Sequence, residues 1–238
     1  MPGPRLHWLS LVVIVLPLSL AAPARAEVGA GVSIESDYQL RGVSLSDGRP
    51  ALSLNLSYDH ASGAYGAISG VFVDTRHSGA QVLGYVANLG YARRLPSGVS
   101  WDVGVINSGV TTYVDYEVSS TYTEVYAGVS KNDLSVHVYY SPKYIGEGGG
   151  SVYVDFDGAL RPANHWRIFG HVGALARLGA RNRPNVDATR VDFRVGVARE
   201  FKHFELHAAW TATSPTAVYP AGYRQDRTAF VVGAACFF

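Results

Sequence analysis

A set of carboxylates, arginines and histidines lies in segments where apolar and polar residues alternate, and each member falls on the polar side. Alternate residues of a β-strand point to opposite faces, so strands would gather this set on one side of a sheet. Such groups could line a polar channel, fill a closed sheet, bind a metal ion or assist hydrolysis. The candidates are Asp37, Arg41, Asp102, Glu124, His137, Asp155, Asp157, Arg167, His171, Asp192, Arg194, Glu205 and His207.

The histidines argue against a metal centre and against a hydrolase. His137, His171 and His207 lie on three segments that are not neighbours, and no His-x-His or His-Glu-x-x-His pattern is present. Such patterns are typical of zinc sites. The chain also lacks a Gly-x-Ser-x-Gly nucleophile motif, and no histidine occupies the apolar side of a well-phased segment. We therefore predict no metal, no cofactor and no enzyme activity.

The elements that would position these groups are about twelve segments of roughly ten residues. In the clearest one, residues 52–59, Leu or Tyr alternates with Ser, Asn or Asp. Gly, Pro, Asn and Asp separate the segments, as they do at turns. A period of two over this length predicts tilted strands that cross a bilayer, and ten or fourteen strands would also fit the pattern.

Three observations favour a membrane barrel over a soluble β-sandwich, which also alternates. No charged residue falls on the apolar side of the well-phased strands, where Arg or Lys at mid-depth would cost about 2–4 kcal/mol. Connections alternate in length, being short near 60–63, 93–98, 130–133, 161–165 and 199–203, and longer near 75, 108, 142, 177 and 214. Aromatic residues, which favour the lipid–water boundary, mark strand ends at Tyr58, Tyr91, Trp101, Tyr140, Trp166, Trp210 and Phe238.

The predicted fold class is therefore all-β, a transmembrane antiparallel up-and-down β-barrel of about 12 strands, formed by residues 27–238 and preceded by a cleavable signal peptide. In residues 1–26, Arg5 precedes an apolar run, and Ala24-Arg25-Ala26 fits the small-x-small cleavage pattern. An N-terminal membrane anchor is the alternative, but the run is shorter than the ~20 residues that a spanning helix needs. The barrel would lie in the bacterial outer membrane, in contact with its lipid.

Charge and cysteine content exclude other classes. Removing Arg5 and Arg25 from the 20 basic residues leaves 18 against 19 acidic ones, so there is no electrostatic case for nucleic acid. Cys236 is the single cysteine, and no internal disulfide can form.

Residues 226–238 are typical of a closing strand. Counted back by twos from Phe238, the residues through Cys236 to Phe230 are apolar. The expected partner is the strand that begins at Val28, because pairing of first and last strands removes both sheet edges. We assign Phe230 and Phe238 to barrel closure. By resemblance to other outer-membrane barrels, Phe238 is expected to be a signal for the barrel-assembly machinery.

Residues 36–51 read Ser-Asp-Tyr-Gln-Leu-Arg-Gly-Val-Ser-Leu-Ser-Asp-Gly-Arg-Pro-Ala. This stretch resembles the S-D-Y-x-x-R-G-x-S-x-S-x-G-x-P-A pattern of the TorF family of porin-like proteins from Gram-negative bacteria. Weaker similarities lie at 101–105, 122–128, 139–141, 191–193 and Phe238. Leu45 stands where that family usually has Gln, and residues 107–110 replace its Tyr-Pro element, so the following loop is expected to differ. The resemblance implies an outer-membrane channel without naming its solute.

Asp37 and Arg41 share the polar side if the first strand continues through Leu40. A salt bridge near the mouth of the lumen is the simplest expectation, and a solute-contacting pair is the alternative. The other charged candidates would line a pore or cross-link and plug it. The expected function is passive diffusion of small polar solutes or ions. A non-conducting structural or ligand-binding barrel is the second reading, and an outer-membrane lipid hydrolase is the third.

Overall fold

The computed structural model describes residues 27–75, 79–112, 118–144, 149–178, 189–214 and 226–238. The predicted signal peptide, residues 1–26, lies outside the described residues. No helix among the described residues is long and apolar enough to span a membrane. The strands are β1 Glu27–Glu35, β2 Gln39–Leu40, β3 Val43–Ser44, β4 Ala51–Asp59, β5 Ala64–Thr75, β6 Gly79–Arg94, β7 Ser100–Thr112, β8 Val118–Lys131, β9 Leu134–Ser141, β10 Ser151–Ala163, β11 Trp166–Arg177, β12 Thr189–Glu200, β13 Phe204–Thr213 and β14 Thr228–Phe237.

Twelve of these strands form one closed antiparallel barrel, in which β1 pairs with both β4 and β14 and every other strand pairs with its neighbours in the chain. The two remaining strands, β2 and β3, form a separate hairpin. At the closing seam, residues 31–35 of β1 pair with residues 233–237 of β14. The predicted barrel class, the count of twelve and the partnership of first and last strands are confirmed.

Short turns join the strands at one end of the barrel. The turns after β4, β6, β8, β10 and β12 contain two to five residues. In the two-residue turns Asn132 and His165 adopt positive φ angles of 54° and 67°, which lets the chain reverse tightly. Glu27 and Phe238 lie at this same end, because Glu27 pairs with Asp59 and Phe238 with Ala30.

The connections at the opposite end follow the predicted asymmetry in part. The connections after β1, β9, β11 and β13 are long. The connections after β5 (residues 76–78) and after β7 (residues 113–117) are short. The sequence predicted a loop over 108–120, but β7 and β8 extend into it from either side. Thr, Val and Tyr make up seven of the thirteen residues of this stretch, and these residue types favour strands even where the pattern is polar.

The outer surface is apolar. Side chains such as Leu54, Ile68, Val105 and Val195 are exposed, and in a closed sheet the exposed alternate residues face outward. The predicted aromatic positions Tyr58, Tyr91, Tyr140, Trp166, Trp210 and Phe238 are exposed in the same way. Lipid, rather than water, suits a surface of this composition.

A β-bulge in β6 reverses the predicted phase at one end of that strand. Alternation back from Tyr91 through Leu89 and Tyr85 predicts Leu83 on the outer face and Val82 on the inner face, but Leu83 is buried and Val82 is exposed. The register with β5 shifts between Val71 and Phe72, where β6 carries an extra residue. One inserted residue moves every following side chain to the other face.

Candidate functional site

The barrel wall brings most of the predicted polar set to its inner face. Among the predicted residues that lie on barrel strands, Asp102 is partly buried and all the others are buried. Their neighbours along each strand are mostly exposed. In a closed sheet, buried alternate residues point into the lumen. Asp102 lies on β7, Glu124 on β8, His137 on β9, Asp155 and Asp157 on β10, Arg167 and His171 on β11, Asp192 and Arg194 on β12, and Glu205 and His207 on β13. Their role in lining a pore stays a prediction.

The sequence predicted that the first strand continues through Leu40, but β1 ends at Glu35. Residues 36–50 instead fold back into the lumen around the β2–β3 hairpin, called the lumen hairpin below. Arg41 and Gly42 form its two-residue turn with φ angles of 49° and 74°, and type I′ turns need positive φ at both positions. A Cβ on Gly42 would lie 2.7 Å from Cβ of Asp192 and 2.9 Å from Cβ of Thr213. Glycine is therefore required where the hairpin tip meets β12 and β13.

Arg41 extends from the hairpin tip to the opposite wall. Its Nη2 donates to both carboxylate oxygens of Glu124, at 3.0 and 2.8 Å. The guanidinium carbon lies 4.0 Å from the ring centroid of Tyr153, with Tyr139 and Tyr144 at 5.5 and 5.3 Å. Burial opposes the charge, but Tyr144 and Glu124 raise the pKa of Arg41 well above its ordinary value. Because β8, β9 and β10 lie about halfway around the ring from β1, the hairpin spans the lumen.

The predicted salt bridge between Asp37 and Arg41 is wrong. Asp37 Oδ1 instead accepts hydrogen bonds from Ser44 Oγ at 2.5 Å, Ser46 Oγ at 2.9 Å and the Gly48 backbone N–H at 3.1 Å. The two-residue turn explains the difference, because it carries Arg41 to the tip while Asp37 stays at the hairpin base. Asp37 therefore holds the hairpin together, and Arg41 attaches it to the wall.

His171 bridges two carboxylates on the wall. Its Nδ1 lies 2.8 Å from Asp157 Oδ1, and its Nε2 lies 3.1 Å from Asp192 Oδ1. The hydroxyl of Tyr153 donates to the same Asp192 oxygen at 3.1 Å. A ring nitrogen needs a proton to donate, so two carboxylate partners favour a doubly protonated, cationic imidazole.

His137 occupies a similar position two strands earlier, on β9. Its Nε2 lies 3.4 Å from Asp102 Oδ1, and its Nδ1 lies 3.6 Å from Asp155 Oδ1. Asp102 also accepts a hydrogen bond at 3.1 Å from the hydroxyl of Tyr65, which in turn contacts the hydroxyl of Tyr126. Carboxylates, imidazoles and phenols thus form two groups on the inner wall, one around His137 on β5 to β10 and the other around His171 on β10 to β12.

A further group of ion pairs ties the seam region together. Glu35 on β1 accepts from Arg194 Nη2 at 3.5 Å and lies 3.2 Å from His207 Nε2. Arg167 on β11 donates to Glu205 on β13. Glu35 was not among the candidates, although it lies on the polar side of the first strand.

Glycines on the inner wall make room for rings from the adjacent strand. A Cβ on Gly104 would lie 2.5 Å from Tyr126 Oη, and a Cβ on Gly90 would lie 2.4 Å from Tyr65 Cζ. Side chains cannot approach so closely, so these rings need glycine opposite them. The ring–glycine pairs are Tyr65–Gly90, Tyr126–Gly104, His137–Gly128, Tyr153–Gly173, Phe169–Gly196 and His207–Gly233.

Among the described residues, the buried charges have an acidic excess equal to the number of histidines that are neutral. Four arginines and three histidines face seven carboxylates, namely Glu35, Asp37, Glu124, Asp155, Asp157, Asp192 and Glu205. A cavity of ≈ 40 Å³ lies between the lumen hairpin and the wall, bordered by Arg41, Glu124 and Asp155. That volume suits a few water molecules.

Several inner-face residues were absent from the sequence prediction. They include Arg190, Tyr65, Tyr139 and Tyr153, all of them buried. Tyr139 and Tyr153 share the polar side of their strands with the charged candidates, so the alternation alone would have found them. The residue type alone does not place a tyrosine on the inner face, because tyrosine is also common on lipid-facing positions.

A closed twelve-strand barrel with an apolar outside and a charged inside defines a porin-like outer-membrane barrel, and the predicted outer-membrane localisation is confirmed. The NanC porin has this fold, with a TM-score of 0.58 and 8% identity over 88% of this chain and 99% of that chain. The KdgM porin gives a TM-score of 0.52 and 14% identity over 88% and 99%. Its complex with disordered oligogalacturonate gives 0.51 and 14% over 90% and 99%. These likenesses concern the fold.

The chain belongs to the Gcw_chp family, described as bacterial proteins of unknown function, which matches residues 21–236. No curated protein matches the chain. The finer resemblance to the TorF family stays a prediction.

Proposed function

We propose that this protein is a passive outer-membrane channel for small polar solutes or ions. One observation carries the proposal, namely a closed barrel of the porin fold whose inner face is charged and whose outer face is apolar. Transport by diffusion through such a lumen needs neither a cofactor nor a covalent step.

The lumen hairpin would form the constriction of this channel. Its tip reaches Asp192 on one side and Glu124 on another, so any solute must pass Arg41. The cavity of ≈ 40 Å³ beside Arg41 supports passage of water and small ions rather than of large molecules. The Arg41 position would therefore set the size limit of the channel.

Charge would set its preference. The seven buried carboxylates outnumber the four buried arginines, and cationic histidines such as His171 offset only part of this difference, so we expect a modest preference for cations. The KdgM structure contains oligogalacturonate, an acidic oligosaccharide. We propose neutral or cationic solutes for the present channel instead, because its buried acids would repel a polyanion.

A non-conducting barrel is the second candidate, and the same hairpin favours it. Arg41 and Glu124 close the lumen with a buried ion pair, and most inner-face charges already have partners. A barrel filled in this way would serve a structural or ligand-binding role.

Single-channel recording in a planar lipid bilayer tests the proposal. Wild-type protein refolded from denaturant should give discrete conductance steps, and an imposed KCl gradient should give a reversal potential of the sign expected for cation preference. Heat-modifiable gel migration confirms that the sample is a folded barrel. Folded protein without any conductance would refute the channel and support the filled barrel.

We further propose that residues 1–26 are removed as a signal peptide and that the chain is a TorF-type protein. The second point is supported by residues 36–51, because the matching Asp37, Arg41, Gly42, Ser44 and Gly48 all have defined roles in the lumen hairpin. The intact mass of the membrane-extracted protein should equal that of residues 27–238. A mass that includes residues 1–26 would contradict the cleavage.

A further inference from the structure

Three potential metal ligands meet on the inner wall between β10 and β11. Asp155 and Asp157 are two residues apart on β10 and therefore share a face, and His171 is the register partner of Asp157 on β11. One ligand atom from each of the three lies within 4.8 Å of the others. Small side-chain rotations would bring all three within reach of one ion, whose bonds to such ligands are about 2.0–2.2 Å long.

The carboxylates have oxygens that the protein does not satisfy. Asp155 is 1% exposed, and neither of its carboxylate oxygens has a hydrogen-bond partner among the described residues. Oδ2 of Asp157, which is 3% exposed, also has none. The imidazole of His137 lies 3.6 Å from Asp155, beyond hydrogen-bond distance. Buried carboxylate oxygens without a hydrogen bond are costly, and a bound cation would reduce that cost.

His171 is already oriented as a metal-binding histidine would be. Its Nε2 faces Asp192, whose carboxylate also accepts from the Tyr153 hydroxyl, and its Nδ1 faces Asp157. Metal-bound histidines commonly donate their second ring N–H to a carboxylate in this way. An ion would displace the proton on Nδ1 to solvent, while the Nε2–H bond to Asp192 holds the ring in place.

We propose that Asp155, Asp157 and His171 bind one divalent transition-metal ion, with Zn²⁺ as the reference case, and that Asp192 is a positioning residue for His171. The mixed imidazole and carboxylate donors suit zinc or manganese, whereas Mg²⁺ prefers oxygen ligands alone. The bound ion would crosslink β10 to β11 and would offset part of the acidic excess. The site goes beyond the proposed channel activity and does not depend on it.

The sequence has no His-x-His or His-Glu-x-x-His pattern, and this site needs none. Its ligands are one histidine and two aspartates, brought together by the register of adjacent strands. A strand pairing that aligns Asp157 with His171 is not visible in either segment alone.

The test is zinc binding to the refolded full chain in detergent, stripped with EDTA and titrated calorimetrically with ZnCl₂. We expect one ion per barrel, with Mg²⁺ in excess unable to compete. Asp155→Asn and His171→Gln should weaken binding by at least about 100-fold, and Asp192→Asn by about 10- to 100-fold, the range for outer-shell partners. Asp74→Asn, which removes an exposed carboxylate away from the site, is the matched control and should bind as wild type does.

If wild type and Asp155→Asn bind zinc with equal affinity, the ion is bound by the exposed histidines and the proposal is wrong. The absence of zinc binding by wild type would also overturn it. Heat-modifiable migration establishes that each variant is folded. If Asp155→Asn does not fold, the visible absorption bands of Co²⁺-loaded wild-type protein provide the test instead. Bands that Zn²⁺ abolishes at one equivalent support the site, and their absence refutes it.

Discussion

Replacement of Arg41 by Ala should open the barrel. The substitution removes both hydrogen bonds to Glu124 and leaves that carboxylate, which is 2% exposed, buried without its counter-ion. Breaking a buried pair by removing one partner typically costs about 3–5 kcal/mol. Loss of the contact with Tyr153 adds about 0.5–2 kcal/mol. The attachment of the hairpin tip to the far wall should therefore weaken by two or more orders of magnitude.

The hairpin should not leave the lumen altogether. Val43 and Leu45 are buried against Val71, Val73 and Leu83 on the near wall, and each contributes about 1.5–3 kcal/mol. Without Arg41 we expect the hairpin to retreat onto β4–β6 and to free the side of the lumen next to β8–β10. Single-channel conductance should rise, while the barrel should unfold at a lower urea concentration.

The double variant Arg41→Ala/Glu124→Gln separates the two effects. Removing both charges eliminates the unpaired carboxylate, so much of the lost stability should return while the conductance stays high. Arg41→Lys keeps the charge but loses the planar contact with Tyr153 and should be intermediate. Wild-type conductance and wild-type stability in Arg41→Ala would refute the assignment of this residue as the lumen crosslink.

Other substitutions test the wall, the outer surface and the closing strand. Gly104→Ala would place a Cβ 2.5 Å from the Tyr126 hydroxyl and should destabilise the barrel by about 1–3 kcal/mol in urea unfolding, whereas Gly170→Ala, with its nearest atom at 3.9 Å, should be tolerated. Ile68→Arg on the lipid face should cost about 2–4 kcal/mol in vesicle refolding compared with Ile68→Val, and equal yields would contradict the lipid-facing assignment. Phe238→Ser should reduce the amount inserted in cells more than the conductance of each inserted barrel; normal assembly would leave Phe238 as an interfacial anchor only.

The barrel itself was accessible from the sequence because lipid imposes a strict rule on every strand. Residues such as Leu54, Val105 and Val195 must face outward, and the period of two then assigns their neighbours to the lumen. The rule failed at Leu83, where one extra residue in β6 changes the phase without any breaker in the sequence. The rule also does not apply at residues 108–120, where β7 and β8 continue into a predicted loop. Strands can extend beyond the membrane as polar hairpins, and there the lipid no longer requires apolar residues on the outer face.

The interior could be predicted residue by residue but not as a site. Alternation shows that Glu124 and Asp155 face inward, yet which charges meet depends on strand register and on the inserted hairpin. Arg41 and Glu124 are 83 residues apart, and nothing local to either identifies the other. The motif at residues 36–51 did contain the hairpin, since Asp37 binds its serines and Arg41-Gly42 forms its turn. Its alternation through Leu40 nevertheless predicts a strand followed by a turn.

The seam between β1 and β14 has a mechanical consequence. Its register covers only residues 31–35 and 233–237, extended by the hydrogen bonds between Ala30 and Phe238, whereas β1 pairs with β4 over all nine of its residues. Under mechanical load, the barrel should open first between β1 and β14, since fewer backbone hydrogen bonds must break there. Glu35 fastens the seam from inside, because Arg194 and His207 on β12 and β13 reach across β14 to it. The Glu35 side chain therefore strengthens the part of the wall that has the fewest backbone hydrogen bonds.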